Sequence, residues 1–164
     1  MAKTAKTLDY TGRKVDVLAF DGAYSDGVFP LEQGLYGNSY SSGKVCAGIQ
    51  KLTQRWLIEL LTPLGSLPYL PDRGSNFINQ ARSGRIRTEA DASSAFYFAL
   101  ERVATNLITE DSNGTYPDDE KYKDAVLISI NIETGSKLSL SVRLDSLAEE
   151  SRIFVVPLTV VPER

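Results

Sequence analysis

The C-terminal part of the chain alternates apolar and polar residues with the two-residue period of a β-strand. Two such runs, 126–132 and 138–144, flank the short polar stretch 133–136. Because successive side chains of a strand point to opposite faces of a sheet, the pattern predicts an antiparallel hairpin with one face in the core and one in water. The predicted core-facing set is Val126, Ile128, Ile130, Ile132, Leu138, Leu140, Val142 and Leu144.

A third run, residues 153–161, is apolar at both odd and even positions. A strand with two apolar faces is an aggregation hazard when it lies uncovered at an edge. We therefore expect either that a partner covers this strand or that it lies wholly within this domain's own sheet. Pro157 has no backbone N–H to donate, and we expect the strand to lie at a sheet edge or to break there. Ile153, Val155 and Pro157 are therefore candidate partner-binding residues.

The segment from about 45 to 61 has the period of an amphipathic helix. Its core stripe is predicted to be Val45, Ile49, Leu52, Trp56 and Leu60. Ile58 and Leu57 sit well round the helix from that stripe, which indicates a second buried side. We take Ile58 as a candidate for contact with a partner.

A second long helix is predicted to start after Thr88, with Asp91 three residues later forming a capping box. Its core face is Ala92, Ala95, Phe96, Ala99, Val103 and Leu107. Phe98 projects to the far side and is another candidate partner contact. Residues 110–124 are acidic and turn-rich, and they lack the spacing of a calcium loop, so we interpret them as a solvated surface loop.

A loop rich in proline and glycine joins the two helices. Gly65 and Gly74 supply positions where φ can be positive, and the prolines fix φ elsewhere. Ser75 is predicted to cap a short helix that runs through Arg82 and ends at Ser83-Gly84. Arg73, Arg82, Arg85 and Arg87 follow Asp72 with no acid before Glu89, which indicates either a solvated connection or a docking patch for an acidic partner surface.

Residues 1–43 are predicted to form an N-terminal arm, and residues 44–164 the main domain. A hairpin over 8–20 would turn at Thr11-Gly12, and 21–43 are rich in Gly, Ser and Tyr. Aromatic residues such as Tyr36 favour anchoring, either on another protein or on this domain. The whole pattern predicts an α+β fold, with two long helices and one short helix on a small, mainly antiparallel sheet and an extended N-terminal arm.

Composition excludes several classes of function. The 164 residues contain no histidine and a single cysteine, Cys46, so we predict no catalytic residues, metal site or cofactor. The net charge of -3 argues against nucleic acid as a partner. No apolar run approaches the roughly 20 residues of a membrane helix, and the N-terminus does not have the pattern of a signal peptide, so we expect a protein made in a cytoplasm-like compartment.

The loop carries the most specific motif in the chain, which matches Leu60, Leu61, Thr62, Gly65, Ser66, Pro68, Tyr69, Pro71, Asp72 and Gly74. The order and spacing of these residues resemble the signature of the baseplate wedge proteins of contractile-tailed phages. These proteins are also called sheath initiators and have relatives in type VI secretion baseplates. The family usually carries Glu-Pro-Arg after its second long helix, where this chain has Glu110, Asp111 and Ser112.

The resemblance implies a structural protein of the virion tail baseplate, assembled in the host cytoplasm. Its partners would be other wedge proteins, central hub or spike proteins, and sheath subunits that add strands near 153–161. Because some wedge proteins are described as lysozyme-like, the alternative is a glycan hydrolase using Glu89 with Asp91, or Asp72 with Glu59. Asp91 is better explained as a cap residue and Asp72 as a loop residue, so we predict no enzyme activity.

Overall fold

The computed structural model describes residues 12–17, 29–30, 45–133 and 137–159. Three two-residue strands, β1 (Asp16–Val17), β2 (Phe29–Pro30) and β3 (Val45–Cys46), precede the helices. The helices are α1 (Gly48–Leu61), α2 (Phe77–Arg82) and α3 (Glu89–Asn113), followed by a 3-10 turn at Asp118–Glu120. Strands β4 (Tyr122–Glu133), β5 (Lys137–Ser146) and β6 (Ser151–Thr159) complete the chain.

The main sheet has the strand order β2-β6-β5-β4, and β1 pairs with β3 in a separate two-stranded ladder. Neighbouring strands are antiparallel except β2, which runs parallel to β6. The helices pack on this sheet, so the predicted α+β class with a mainly antiparallel sheet is confirmed. The first strand of the predicted 8–20 hairpin, most of the arm and Tyr36 lie outside the described residues.

The hairpin of β4 and β5 is present, but the predicted facing of β4 is wrong in its first half. A bulge at Ile128 interrupts the ladder, because Leu127 pairs with Val142 and Ser129 with Ser141. An extra residue shifts the alternation by one position. Leu127 therefore packs against the core before the bulge and Ile130 after it, whereas the side chain of Ile128 is 51% exposed. In β5 the alternation holds, and Leu138, Leu140, Val142 and Leu144 are fully buried.

Strand β6 pairs with β5 along its length, including Ser139 with Pro157, so the alternative in which it breaks at the proline is wrong. The alternative in which the strand lies at a sheet edge holds only in part. On its other side β2 pairs with Phe154 and Val155, and no other partner strand is found among the described residues. The predicted arm thus covers part of this edge, as expected if the arm wraps its own domain.

Helix α1 starts three residues later than predicted. Val45 and Cys46 are extended and pair with Val17 and Asp16, which excludes them from the helix. Leu52, Trp56 and Leu60 are fully buried, as the period predicted. The Trp56 ring lies 6.1 Å from that of Phe96 and 5.5 Å from that of Phe154, so this residue joins α1, α3 and the sheet.

The N-terminal end of α3 is as predicted. Thr88 caps it with a complete capping box to Asp91, and the buried face consists of the six predicted residues. The helix continues to Asn113, so the predicted loop start at 110 is wrong. Among the described residues, no helix combines the length and apolar character that crossing a bilayer requires.

Helix α2 also starts later than predicted. Its N-cap is Asn76, with no side-chain cap. The Ser75 hydroxyl instead accepts from the N–H of Phe77 at 3.2 Å and donates to the carbonyl of Leu60 at 2.6 Å. Ser75 therefore ties the start of α2 to the end of α1.

Candidate functional site

The motif loop, residues 63–74, is closed at its base. The N–H of Leu64 donates to the carbonyl of Ser75 at 3.0 Å, and the N–H of Ser75 donates to the carbonyl of Thr62 at 2.9 Å. A compact surface loop whose ends meet is an Ω-type loop, a type that frequently carries function. The base fixes the position of the loop relative to α1.

Gly74 sits where the loop returns to α1, and no other residue fits there. Its φ is +92°, and a Cβ at this position would lie 2.4 Å from the carbonyl oxygen of Thr62. Gly65 also has a positive φ of +76°, but a Cβ there would meet nothing within 4 Å. Both glycines satisfy the conformational prediction, and Gly74 also allows close backbone approach.

The side chain of Glu59 holds the loop from beneath. It is 1% exposed, accepts the N–H of Gly74 at 2.8 Å, and forms an ion pair with Nε of Arg73 at 2.8 Å. The amide of Asn106 on α3 also donates to it. A buried carboxylate is tolerated only when charge partners and hydrogen bonds satisfy it, and Glu59 has both.

Helix α3 anchors the far side of the loop. The guanidinium of Arg102 donates to the carbonyl of Asp72 at 2.9 Å, and Asn106 donates to the same oxygen at 3.2 Å. The side chain of Asp72 is 97% exposed, and its carboxylate lies 3.6 Å from the same guanidinium. A fully exposed ion pair contributes little, so Asp72 serves the loop mainly through its backbone, which agrees with its interpretation as a loop residue.

The loop tip, which we define as Leu67, Tyr69 and Leu70, presents apolar surface to solvent. Tyr69 is 96% exposed and Leu70 57% exposed. Turns hold the tip, with the N–H of Leu70 donating to Leu67 and that of Arg73 donating to Leu70, both at 3.1 Å. An exposed aromatic side chain on a well-braced loop has the properties of an interface anchor, since little order must be gained on binding.

A second cluster of charged residues lies where α1, the end of α3 and the 3-10 turn meet. Arg55 pairs with Asp111 at 2.7 Å, Lys51 with Glu120 at 2.9 Å, and Arg13 with Asp119 at 2.6 Å. The side chains of Asp111, Asp119 and Glu120 are 8%, 16% and 1% exposed, so the interpretation as a solvated surface loop is wrong for these three acids. Asp118, by contrast, is 68% exposed and pairs with Lys121. The three shielded acids are the counter-ions of basic side chains on α1 and near the N-terminus.

Glu110 connects this cluster to the motif loop. Its carboxylate lies 3.4 Å from Arg55 and 3.0 Å from Arg73. Burial raises the pKa of Glu110, but the charge of Arg55 and hydrogen bonds from Tyr116 and Arg73 outweigh it, so the pKa lies below its ordinary value. Arg55 also stacks on the Tyr116 ring, 4.0 Å from its centroid. The Glu110 carboxylate therefore joins the two arginines as an anion.

The carboxylate pairs considered for glycan hydrolysis have structural partners. Asp91 accepts the N–H groups of Thr88 and Arg87. Hydrogen bonds from the Thr88 side chain and from these two N–H groups lower the pKa of Asp91. Glu59 is ion-paired and buried, and no group of three or more potential metal ligands occurs in the part of the chain that the structure describes.

The remaining predicted partner residues that the structure describes fall into three groups. Arg85 and Phe98 line one groove, and Phe98 is 65% exposed. Ile58 is 45% exposed on α1, and Arg82 and Arg87 are exposed near α2. Ile153, Val155 and Pro157 are half-buried in β6.

Sequence reasoning missed the loop's supports Arg102 and Asn106, and weighed Glu59 only as a catalytic acid. One feature of the sequence could have identified Glu59 as a buried residue, since it is a lone acid between Ile58 and Leu60 on a helix that is apolar on several sides.

Comparisons of the chain with protein-family models, with curated proteins and with solved structures found no match. The resemblance to the wedge family thus stays a prediction that rests on the motif residues.

Proposed function

We propose that this protein is a structural component of a contractile phage-tail baseplate, which joins neighbouring wedge proteins and initiates sheath assembly by strand addition. The observation that carries the proposal is the motif loop. Its base, Gly74 and Glu59 form one hydrogen-bonded unit that presents Tyr69 to solvent. A side chain displayed in this way supports binding to another protein, and the motif resemblance supplies the class of assembly.

Strand addition needs an unpaired sheet edge, and the pairing favours β4 over the predicted 153–161 segment. Strand β2 already covers β6 at Phe154 and Val155. Strand β4 is the last in the sheet, and its outer side has no partner strand among the described residues. We therefore place the sheath contact at β4, where an added strand would gain main-chain hydrogen bonds.

Tyr69→Ala tests the loop, with Tyr97→Ala as the matched control because Tyr97 is a half-exposed aromatic residue on α3. Purified variants would be titrated with the wedge and hub proteins of the same tail. We expect Tyr69→Ala to keep its melting temperature and to weaken binding about 30-fold, the size of an interface anchor, while the control binds normally. Normal assembly of Tyr69→Ala, or wild-type protein that binds no tail protein, would contradict the proposal.

Amide hydrogen exchange tests the strand placement. On adding sheath subunits, we expect exchange to slow along β4 while β6 is unchanged. Slowing confined to β6 would show that the edge assignment is wrong.

We do not propose the glycan hydrolase alternative. Retaining and inverting hydrolases need one carboxylic acid and one carboxylate across the bond to be cut. In each pair considered, one carboxylate is already engaged within the protein. Asp91 accepts the N–H groups of Thr88 and Arg87, and Glu59 binds Arg73 and the N–H of Gly74, so neither pair offers two carboxyl groups free to act on a substrate. Purified protein should release no peptidoglycan fragments above background.

A further inference from the structure

We propose that the groove between α2 and α3 binds an acidic segment of a partner protein that carries one aromatic or apolar side chain. The groove is lined by Gln80, Arg85, Asp91, Ser94, Ala95 and Phe98 and has a volume of about 400 Å³. This inference concerns the surface of the isolated chain and does not depend on the baseplate proposal.

The groove has two apolar lining residues, Ala95 and Phe98, which differ in exposure. Ala95 is 4% exposed and belongs to the core face of α3, whereas Phe98, one turn later, is 65% exposed. The volume of the groove exceeds that of one large side chain, and an apolar group placed in it would cover the ring of Phe98. Covering the ring would be favourable, because the free energy falls with each unit of apolar area that is removed from water.

Positive charge is available to a ligand at the groove, from Arg85 in its lining, and at the end of α2, from Arg82. The side chains of Arg82 and Arg85 are exposed, and neither has an ion pair or a side-chain hydrogen bond among the described residues. Arg73, by contrast, is used internally by Glu59 and Glu110. Residues 73–88 contain four arginines and no acid, in a chain whose net charge is -3.

The one acid in the groove is engaged by its own helix. The carboxylate of Asp91 accepts the N–H groups of Thr88 at 2.9 Å and Arg87 at 3.2 Å. It does not neutralise Arg85 by direct contact. A guanidinium without a partner binds carboxylates through two parallel hydrogen bonds, which selects an acidic ligand.

The chemistry favours an acidic protein segment over nucleic acid. A nucleic-acid strand carries one phosphate about every 3.4 Å and needs a broad basic face to neutralise it. Arg85, which has no ion pair among the described residues, lines the groove together with the exposed Phe98, and Arg82 is exposed on α2. This arrangement matches a short stretch with a few carboxylates and one apolar anchor.

The test is an NMR titration of the isolated protein with two unlabelled 12-residue peptides that consist mainly of glycine and serine. One carries three glutamates and one phenylalanine, and the other has glutamine in place of each glutamate. We expect shifts at the amides of Ser94, Ala95 and Phe98, and about tenfold tighter binding of the acidic peptide, as charge-assisted hydrogen bonds predict. Raising the salt concentration should weaken the acidic peptide's binding, because exposed charges are screened.

Variants separate the groove from general charge effects. Arg85→Glu should weaken binding of the acidic peptide about tenfold and should instead bind a peptide with lysine in place of each glutamate. Phe98→Ala should weaken binding of the acidic peptide about fivefold. Lys123→Glu is the control for net charge, since Lys123 lies on β4 and is half-exposed, and it should bind the acidic peptide as the wild type does.

Four results would overturn the proposal. They are equal affinity for both peptides, shifts away from the groove, tighter binding of a 12-nucleotide single strand at the same salt, and self-association in sedimentation that shifts the same amides. The first two results would show that the groove does not bind an acidic peptide selectively. The third would make nucleic acid its ligand, and the fourth a second copy of this chain. None of these outcomes bears on the Tyr69 experiment, so the two proposals fail separately.

Discussion

Gly74 shows how one residue can determine the shape of a functional loop. Its positive φ alone would be tolerated by a few other residues at a modest cost. The approach of a Cβ to the Thr62 carbonyl oxygen costs more, because that oxygen belongs to the base of the loop and cannot move aside as a flexible side chain could. The backbone would have to move to admit any side chain, and the ladder between Thr62 and Ser75 would open.

We predict that Gly74→Val destabilises the protein by about 3 kcal/mol or more, because backbone strain and overpacking add. For a chain of this size that corresponds to a loss of roughly 10 °C in melting temperature. Thermal unfolding followed by circular dichroism measures it. Gly65→Ala is the control, with a comparable φ and free space, and should cost about 1 kcal/mol. Equal effects of the two substitutions would show that the close approach is unimportant.

At the scale of elements, β4 shows how an irregularity overrides a strong pattern. Even-numbered residues from Val126 to Ile132 are apolar, yet Ile128 is displaced from the ladder and lies half in solvent. The bulge lets Leu127 and Ile130 both face the core, on opposite phases of the alternation.

We predict that Ile128→Ser changes the free energy of unfolding by less than about 0.5 kcal/mol, as surface substitutions do. Ile130→Ser removes a side chain packed against the core opposite Leu140, and should cost about 2 kcal/mol. Urea denaturation of both variants measures the difference.

Deleting Ile128 extends the same prediction. The pairs Leu127–Val142 and Ser129–Ser141 would then be consecutive in the ladder. The variant without Ile128 should therefore still fold with Ile130 in the core. Failure of this deletion to fold, or equal costs for the two serine variants, would place Ile128 in the core after all.

At the scale of the whole molecule, residues 13–17 tie the N-terminal end of the described chain to α1. The ammonium of Lys51 donates to the carbonyl of Lys14 at 2.7 Å, and the amide of Gln54 donates to the carbonyl of Val17 at 2.9 Å. Strand β1 covers β3, where Cys46 is fully buried opposite Asp16. Burial, with the nearby charge of Asp16, raises the pKa of the Cys46 thiol to about 12.

We predict that Cys46 in the folded protein resists thiol reagents at pH 8, because the reactive species is the thiolate and the reagent has no access. Deleting residues 1–17 should speed labelling by at least about tenfold, since local opening then requires less free energy. The labelling rate under native conditions is measured by mass spectrometry. Arg13→Ala, which removes only the ion pairs of Arg13 with the 3-10 turn, should label at close to the wild-type rate. Labelling of the truncated chain at the wild-type rate would show that β1 does not protect Cys46.

The sequence by itself determined the parts of this protein whose causes are local. The core face of α3, its capping box and the alternation of β5 follow from the side-chain period and from hydrogen bonds between residues three apart. The glycine and proline positions likewise determined that 63–74 is a loop with positive φ at Gly65 and Gly74. Periodicity and capping act within a few residues, so they can be read without knowing what packs where.

Only the tertiary structure decided which partners distant residues find. The pairing with β1 makes Val45 and Cys46 a strand, and the match to β5 creates the bulge at Ile128. Lys51 and Arg55 pair with Glu120 and Asp111 and take these two acids out of solvent. Glu59, Asn106 and Arg102 meet the loop from two helices. Each of these contacts joins segments far apart in the chain, and the free energy of a charge or a strand edge depends on the partner that reaches it, which no local pattern specifies.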